Sequence, residues 1–226
     1  IAQCLVGSEM CIRDRPMINH VISTVKKMGA EDICVITGYK HEIVENYVKS
    51  LDENIKTALQ EPQLGTGHAV MQARDFIEKH KGDDIVVLNG DGPMIDAETL
   101  TKAYNYHKEN DNSITLISAL VDDTDGIGHI KRDENGKLER IIEHKDATEE
   151  EKKINESNAG FYWFNGNDLL YALDRITNNN AQNEYYITDS LEILISAGKN
   201  AGAYVVENAD VTPVSYTHLR AHETLS

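Results

Sequence analysis

Mostly apolar runs alternate along this chain with longer segments in which apolar residues recur at every third or fourth position. The runs within 32–38, 84–90 and 113–120 predict buried strands, because a strand covered on both faces is apolar along most of its length. A further strand is predicted at 57–60. The periodic segments predict helices at 18–28, 41–48, 67–80 and 97–107. This alternation predicts βαβ units, a parallel sheet and right-handed crossovers.

The second half of the chain has a different pattern. Residues 129–142 predict a β-hairpin, with Asn135-Gly136 as the candidate type I′ turn. The charged segment 144–157 predicts a mobile helical or loop insertion. A strand at 159–164 and two helices, near 167–177 and 188–197, are predicted to complete the chain.

The two ends of the chain are related through the DNA that could encode them. Residues 2–15 have a possible coding sequence whose reverse complement encodes residues 213–226. An inverted repeat of this kind is typical of a ligated or transposed DNA tag. We therefore expect 1–15 and 213–226 to be non-native DNA-tag scars. The native part is then 16–212, which is long enough to bury the core of one α/β domain.

The composition excludes several classes of protein. A formal net charge of −16 argues against binding to nucleic acid or to an anionic membrane. No apolar run is long enough to span a bilayer. Outside the predicted scars the only cysteine is Cys34, which we interpret as a core thiol in a reducing compartment rather than a nucleophile. We expect a cytoplasmic protein.

A glycine-bearing loop, Gln63-Leu-Gly-Thr-Gly-His-Ala69, joins a predicted strand to a predicted helix. Gly65 and Gly67 would let the backbone approach a flat ligand, where a side chain would collide. The N–H groups at the start of the helix would favour oxygen acceptors and anions. The spacing alone is equally compatible with an ordinary strand-to-helix turn.

Three informative segments follow predicted strands: Gly38, the loop at 63–67, and Gly90-Asp91-Gly92-Pro93. Open α/β sheets bind ligands beyond the carboxyl ends of their strands. Asp91, flanked by glycines, could hold a divalent cation there, although the same four residues are also typical of a plain turn.

Five segments, taken in order, carry a resemblance to a known family. They are Leu59–Ala69, Asn89–Pro93, Gly126–Gly128, Ile142–Thr148 (IEHKDAT) and Thr177–Asp189 (TNNNAQNEYYITD). Together they resemble the uridylyltransferase domain of the bacterial bifunctional N-acetylglucosamine-1-phosphate uridylyltransferases/glucosamine-1-phosphate N-acetyltransferases. The resemblance extends from Pro16 to about Asp210. It implies a Rossmann-like, glycosyltransferase-A-like nucleotidyltransferase fold, with a mostly parallel mixed sheet, helices on both faces and a sugar-binding β-hairpin.

The resemblance also implies a set of site residues. The nucleotide contacts fall on Gln60, Gly65, Thr66, Asn89 and Gly90. The catalytic metal ligand falls on Asp91, which would hold Mg²⁺. The sugar-phosphate contacts fall on Gly128 (through its backbone), Glu143 and Asn158. Judged by the residues alone, Glu143 is an exposed carboxylate at a strand end and Asn158 a turn residue.

The implied reaction joins UTP and N-acetylglucosamine 1-phosphate, giving UDP-N-acetylglucosamine and pyrophosphate for cell-wall peptidoglycan synthesis. Two alternatives stay open: another sugar-1-phosphate nucleotidyltransferase, and a non-catalytic relative that only binds sugar nucleotides. The resemblance further implies a homotrimeric parent protein, assembled through a β-helix domain that carries the acetyltransferase.

The sequence departs from the family pattern at several positions. The first strand, its glycine-rich phosphate loop and a following lysine would precede Pro16, and a second metal-binding asparagine would follow Asp210, but the sequence matches none of these features. Ala159 replaces a threonine and Asn183 a glycine. We therefore expect the parent protein to be active and this chain to be impaired, with an unpaired strand edge in its sheet.

Overall fold

The structure of the protein is a computed structural model, which describes residues 2–3, 11–12, 15–90, 95–122 and 125–206. Asp91, Gly92 and Pro93 lie outside the described residues, as do the positions after 206.

Strands and helices alternate through the first half of the described chain. The strands are β1 (Ala2–Gln3), β2 (Cys11–Ile12), β3 (Arg15–Pro16), β4 (Cys34–Thr37), β5 (Lys56–Leu59), β6 (Asp84–Asn89), β7 (Ile114–Leu120), β8 (His129–Arg132), β9 (Leu138–Ile142), β10 (Glu156–Asn165) and β11 (Ala201–Val206). The helices are α1 (Met17–Lys27), α2 (His41–Leu51), α3 (Thr66–Gln72), α4 (Arg74–Lys79), α5 (Ala97–Glu109), α6 (Gly166–Leu173) and α7 (Asp189–Ser196). Within the described ranges, no helix combines the length and the hydropathy needed to cross a membrane.

One mixed sheet forms the centre of the molecule. Its order is β11-β7-β10-β6-β1-β4-β5, and the β8–β9 hairpin joins it through β10. The pairs β11–β7, β6–β1, β1–β4 and β4–β5 are parallel, whereas β10 runs antiparallel to its neighbours. This arrangement confirms the predicted α/β class, with a mostly parallel mixed sheet and an attached hairpin.

An interior position of the sheet is held by a very short strand, β1. The two residues of β1 pair in parallel with β4 on one side and β6 on the other. They come from the segment 1–15, which the inverted repeat predicts to be foreign to the domain. The position between β4 and β6 is therefore filled by Ala2–Gln3, although the longer neighbouring strands extend beyond this pairing.

Helices cover both faces of the sheet, and neighbouring residues of each strand point into different cores. In β6, Ile85 and Val87 face a core shared with α3, α4, α6 and α7, while Val86 and Leu88 face a core shared with α1, α2 and α5. Because successive side chains of a strand point to opposite faces, a strand buried on both sides needs apolar residues throughout. Cys34 is a free thiol within the first core, and burial raises its pKa.

Several predicted boundaries differ from the structure. The helix predicted at 67–80 is two helices, because at Ala73 (φ −90°, ψ 17°) the backbone departs from helical geometry. The helix predicted near 167–177 ends at Leu173. Strand β11 was not predicted, since Ala-Gly-Ala-Tyr-Val-Val has a weak apolar pattern and is only partly buried at the sheet edge.

The hairpin prediction is correct, but the predicted type I′ turn at Asn135-Gly136 is wrong. A type I′ turn needs positive φ at both central residues, and here only Gly136 has one (φ 77°). The carboxylate of Asp133 accepts hydrogen bonds from the backbone N–H groups of Asn135 (2.8 Å) and Lys137 (2.9 Å). These bonds stabilise a longer connection than the two-residue turn. The segment 144–157 contains two short 3₁₀ turns, at His144–Asp146 and Glu151–Lys153, before β10 begins.

Two leucines of β7 offer a matched test of this core. Leu116 is fully buried between the sheet and its helices, whereas Leu120 at the end of the same strand is 55% exposed. We expect Leu116→Ala to lower the free energy of unfolding by about 2–5 kcal/mol, because it removes buried methyl groups and leaves a cavity. Leu120→Ala should change it by less than about 0.5 kcal/mol. Urea unfolding followed by circular dichroism measures both, and equal effects would contradict the assigned core.

Candidate active site

A cavity of about 160 Å³ opens beyond the carboxyl end of β6. Its lining comes from separate parts of the chain: the start of α3, the end of β6, the loop before β8, the residue after β9, β10 and the segment before α7. The lining residues are Thr66, Asn89, Gly126, Ile127, Gly128, Glu143, Asn158, Gly160, Tyr162, Ile187 and Thr188. Ligands of open α/β sheets bind at this kind of position.

Glu143 is held on one wall of the cavity. Its Oε1 accepts a hydrogen bond from the Thr188 hydroxyl (2.9 Å). Burial is the main reason that its pKa is raised, and the nearby carboxylates of Asp146 and Glu184 raise it further, while the Thr188 bond lowers it. A methyl group at Gly128 would lie 3.7 Å from the second oxygen, Oε2, so the absence of a side chain there leaves the space beside this oxygen open.

Asn158 lies opposite, in a fixed orientation. Its Nδ2 donates to the Tyr162 hydroxyl (2.6 Å) and its Oδ1 accepts from the Gly160 N–H (3.2 Å). Its backbone N–H donates to the carbonyl of Gly128 (2.8 Å), which ties β10 to the loop before β8. The side-chain nitrogen Nδ2 therefore keeps one hydrogen, and the oxygen Oδ1 keeps one lone pair, for a ligand.

Asn89 borders the same space. Gly160 has φ 78°, and a side chain there would collide with the Asn89 amide. The positive φ favours glycine here, and the missing side chain leaves room for the Asn89 amide. The antiparallel pairing of β6 with β10 brings Asn89 and Asn158 to the same end of the sheet.

The glycine loop packs against the backbone of residues 184–187. A Cβ at Gly65 would come within 2.6 Å of the Tyr185 carbonyl oxygen, and a Cβ at Gly67 within 3.0 Å. The Gly67 N–H donates to that same oxygen (2.7 Å), and the Thr66 hydroxyl accepts from the Ile187 N–H (3.0 Å). The close approach that these glycines permit is therefore to the protein's own chain, and Gly67 does not present a free N–H at the start of α3.

Gln60 lies behind this loop and is almost completely buried. Its Nε2 donates to the Gly65 carbonyl (2.9 Å) and lies 3.2 Å from His68 Nδ1. Burial lowers the pKa of His68, so a neutral ring can accept this bond. Both bonds use the amide nitrogen, and the amide oxygen is the group of Gln60 that remains for a ligand.

The segment 180–186 forms its own capped turn. The side chain of Asn180 accepts from the N–H groups of Gln182 and Glu184 (both 3.2 Å) and donates to the Glu184 carbonyl (2.6 Å). Asn183 has φ 57°, in the left-handed region. Asparagine tolerates this conformation better than other residues with side chains, so it can stand where the family has glycine. The other departure, Ala159, is buried in the core shared with α1, α2 and α5, and nothing in the structure explains this substitution.

The structure thus brings five predicted site residues to one cavity: Thr66, Asn89, Gly128, Glu143 and Asn158. Gln60, Gly65 and Gly90 do not line it, and Asp91 lies outside the described residues. Sequence reasoning assigned no role to Gly160, Tyr162 or Thr188, which hold the predicted residues in place. Thr188 lies within the EYYITD segment that carries part of the family resemblance, and this was the feature of the sequence from which its role could have been inferred.

Several carboxylates lie close together around Glu143 and the start of α7. Asp189, the first residue of α7, has a pKa raised to about 6 by burial and by the charges of Glu143, Glu192 and Asp146. Within the described ranges, no group of three or more His, Cys, Asp or Glu side chains is arranged to hold a metal ion.

Three glycines separate the effect of backbone strain from that of close packing. Gly65 combines a positive φ (104°) with close contacts, Gly29 has a positive φ (93°) in open space, and Gly82 has neither. We expect Gly82→Ala to be neutral or slightly stabilising, and Gly29→Ala to cost about 1 kcal/mol of unfolding free energy. Gly65→Ala should cost clearly more than Gly29→Ala. Equal losses of unfolding free energy for the substitutions at Gly29 and Gly65, measured in urea titrations, would contradict the packing of this loop on residues 184–187.

Asp189 gives the domain a pH dependence. Its pKa is raised from 3.8 to about 6 in the folded protein, so the folded state binds the proton more tightly and stability falls as pH rises from about 4 to about 6. We expect Asp189→Asn to remove this fall. At pH 7 the substitution should raise the free energy of unfolding by roughly 0.5–1 kcal/mol. Removing the unfavourable buried charge contributes ~1.5 kcal/mol after solvent screening, and losing its interaction with the α7 N-terminus takes away ~0.3–1 kcal/mol. Thermal unfolding at pH 4–8 checks this, with the exposed Glu53→Gln as control.

Comparison with known proteins identifies the family to which the chain belongs. The nucleotidyl transferase family profile matches residues 9–218. The chain is 43% identical over 198 residues to the bifunctional protein GlmU of Acetivibrio thermocellus, which covers 88% of this chain and 42% of that protein. It is 47% identical over 204 residues to the GlmU of Fervidobacterium nodosum, covering 90% of this chain and 42% of that protein. The chain therefore spans less than half the length of these relatives.

A solved structure shares the fold at lower identity. A glucose-1-phosphate thymidylyltransferase from Bacillus anthracis, solved in complex with sucrose, superposes with a TM-score of 0.73 at 19% identity, covering 97% of this chain and 93% of that one. This likeness supports the fold alone. The match of the family profile to most of the chain, together with the cleft at the carboxyl end of β6, shows that the protein belongs to the nucleotidyltransferase family.

Proposed function

We propose that the parent protein transfers a uridylyl group from UTP to N-acetylglucosamine 1-phosphate, producing UDP-N-acetylglucosamine and pyrophosphate for cell-wall precursor synthesis. The observation that carries the proposal is the convergence of Thr66, Asn89, Gly128, Glu143 and Asn158 on one cavity. These residues are far apart in the sequence, and each falls on a position that the family resemblance assigns to the nucleotide or the sugar phosphate. The identity of 40–47% to several GlmU proteins supports the same assignment.

On the nucleotide side, Gln60, Gly65 and Thr66 would recognise uracil. Because the Gln60 amide nitrogen is bound to the Gly65 carbonyl, its oxygen would accept the N3–H of the base. Rigid support from residues 184–187 would fix the loop against the ring. Asn89 and Gly90, at the end of β6, would lie beside the nucleotide.

On the sugar side, Glu143, Asn158 and the backbone of Gly128 would bind the N-acetylglucosamine moiety. The Glu143 oxygen not used by Thr188 can accept from a sugar hydroxyl, and the remaining amide groups of Asn158 suit a hydroxyl or an acetamide. Both side chains are pre-oriented by the protein, which lowers the entropy lost on binding.

The proposed reaction needs positioning and charge neutralisation more than a protein nucleophile. A phosphate oxygen of the sugar phosphate attacks the α-phosphorus of UTP, and the bond to the β-phosphate breaks as pyrophosphate leaves. The chemistry of the residues suits a hard cation, since Asp91 comes two positions after the last residue of β6 in the sequence and a carboxylate is a preferred ligand of Mg²⁺. Bound Mg²⁺ would neutralise the phosphate oxygens, and Asp91 would hold it.

The remaining expectations follow from the same assignment. We propose that residues 16–212 form the uridylyltransferase domain, that 1–15 and 213–226 are foreign to it, and that the parent protein is cytoplasmic and trimeric. The alternatives are a different sugar-1-phosphate nucleotidyltransferase and a non-catalytic binding relative. The choice of nucleotide distinguishes our proposal from the first alternative, and metal-dependent pyrophosphate release distinguishes it from the second.

The test combines binding and turnover in the full chain. We expect calorimetry to show UDP-N-acetylglucosamine binding, and Glu143→Gln and Asn158→Ala each to weaken it by about tenfold, as loss of one hydrogen bond to a charged or fixed polar group predicts. Glu134→Gln, on the exposed hairpin turn, is the control and should bind normally. Because we expect this chain to be impaired, pyrophosphate release should be slow, but it should require Mg²⁺, favour UTP over dTTP and GTP, and be lost in Asp91→Asn.

Two results would overturn the proposal. Equal binding of UDP-N-acetylglucosamine by the control and by both cavity variants would exclude the cavity as the sugar site. Preference for dTTP or GTP would assign the chain to a different nucleotide specificity.

A further inference from the structure

The cavity wall that contains Glu143 is built from two segments of the chain. The wall segment is residues 143–146, directly after β9, and the bridging segment is residues 180–188, directly before α7. The two segments meet at the cavity, where the Thr188 hydroxyl donates to Glu143 Oε1 (2.9 Å). This bond leaves the second carboxylate oxygen of Glu143 for a ligand.

A second contact joins the two segments away from the cavity. Oδ1 of Asp146 accepts a hydrogen bond from the Ala181 N–H (3.0 Å), and the neighbouring Lys145 ammonium group donates to the side-chain oxygen of Gln182. The N–H of Asp146 also donates to the Glu143 carbonyl (2.9 Å). Asp146 therefore binds the wall segment through its backbone and the bridging segment through its side chain.

Hydrogen bonds on both sides of Ala181 fix the direction of its N–H. The Asn180 side chain accepts from the N–H groups of Gln182 and Glu184 (both 3.2 Å). The Gln182 side chain in turn donates to the hydroxyl of Tyr186, a buried residue (2.6 Å). The carboxylate of Asp146 is thus bound to a turn that is itself anchored in the domain.

Burial and like charges act against the position of Glu143 at the cavity. Burial raises the pKa of its carboxyl group, and the negative charges of Asp146 and Glu184 raise it further, while the bond from Thr188 lowers it. A carboxylate in such surroundings gains hydration if it turns towards solvent, and one bond from a hydroxyl restrains it only weakly. The contact between Asp146 and Ala181 supplies a second restraint on the same segment.

We propose that Asp146 is a positioning residue, whose carboxylate clasps the wall segment to the bridging segment and so holds Glu143 for binding of the N-acetylglucosamine moiety. The proposal rests on the proposed function, because it concerns how the same site is held. On the nucleotide side, Gln60 and Thr66 have their own hydrogen bonds, to Gly65 and Ile187. Loss of the clasp therefore weakens sugar recognition and leaves nucleotide recognition unchanged.

Two substitutions separate the hydrogen bond of Asp146 from its charge. Asp146→Ala removes both, whereas Asp146→Asn removes the charge and keeps an amide oxygen that can accept the Ala181 N–H. Glu150 provides the control, since its side chain is 84% exposed and pairs with Lys153 (2.7 Å). Glu150→Ala removes a carboxylate from the same insertion without removing the bond to Ala181.

Amide hydrogen exchange of the full chain, followed by NMR without any ligand, tests the contact itself. We expect the Ala181 N–H to exchange roughly fivefold faster in Asp146→Ala, because an exposed N–H is protected mainly by its hydrogen bond. In Asp146→Asn and in Glu150→Ala it should exchange as in the unsubstituted chain. Equal exchange at Ala181 in Asp146→Ala and in the unsubstituted chain would overturn the proposal.

Calorimetric binding of UDP-N-acetylglucosamine and of UDP tests the positioning role. We expect Asp146→Ala to weaken binding of the sugar nucleotide by about threefold to tenfold, as loss of one hydrogen bond predicts, and Asp146→Asn to restore most of the affinity. UDP affinity should change by less than about twofold in both variants.

A double substitution distinguishes positioning of Glu143 from a general loss of structure. If Asp146 acts through Glu143, then Asp146→Ala should weaken sugar-nucleotide binding by less than about twofold when Glu143→Ala is already present. A general loss of structure would lower the affinity by the same factor in both backgrounds and would weaken UDP binding as well. That result would overturn the proposal.

The outcomes separate this proposal from the proposed function. Unchanged sugar-nucleotide affinity in Asp146→Ala, or equal losses in Asp146→Ala and Asp146→Asn, would overturn the positioning role and leave the proposed function intact. Absence of sugar-nucleotide binding by the unsubstituted chain would overturn both.

Discussion

The contact between the glycine loop and residues 184–187 holds the two halves of this molecule together at the site. Leu64 and Gly67 exchange backbone hydrogen bonds with Tyr185, and the Thr66 hydroxyl accepts from the Ile187 N–H. The loop comes from the first half of the chain and its partner from the last third. Without this contact Thr66 and Thr188 would not face the same cavity.

The glycines of the loop follow from this contact. Their missing side chains make room for a carbonyl oxygen of the protein, at distances where a Cβ would collide. A backbone group pressed so closely against another must also be hydrogen-bonded, because an unpaired buried N–H or C=O is costly. Here the Gly67 N–H and the Tyr185 carbonyl satisfy each other.

Neighbouring carboxylates affect the protonation of the cavity wall that contains Glu143. Several carboxylates lie near α7, so that burial and mutual repulsion raise the pKa of Glu143 and of Asp189. Thr188 and Tyr162, which sequence reasoning did not assign to the site, bond to Glu143 and Asn158 and so set the positions of these two side chains.

Sequence reasoning captured the fold class because burial on both sheet faces leaves a direct trace, the apolar runs Cys34–Ile36 in β4 and Ile85–Leu88 in β6 and the mostly apolar sequence of β7. It missed β11, whose edge position demands little apolar character, and it misjudged the hairpin turn. There the side chain of Asp133, rather than the Asn-Gly pair, selects the connection. Both errors arise where a local pattern is weak or is overridden by one side-chain bond.

By itself, the sequence determined the α/β alternation, the strand ends where polar and glycine residues cluster, and the family resemblance that points to Glu143 and Asn158. Only the tertiary structure decided that these two residues share a cavity with Thr66, that Gln60 does not line it, and that Thr188 and Tyr162 hold Glu143 and Asn158 in place. The physical reason is that hydrophobic periodicity reports which face of an element is buried. Hydrogen bonds between residues tens of positions apart depend on how those elements pack, and no local pattern encodes them.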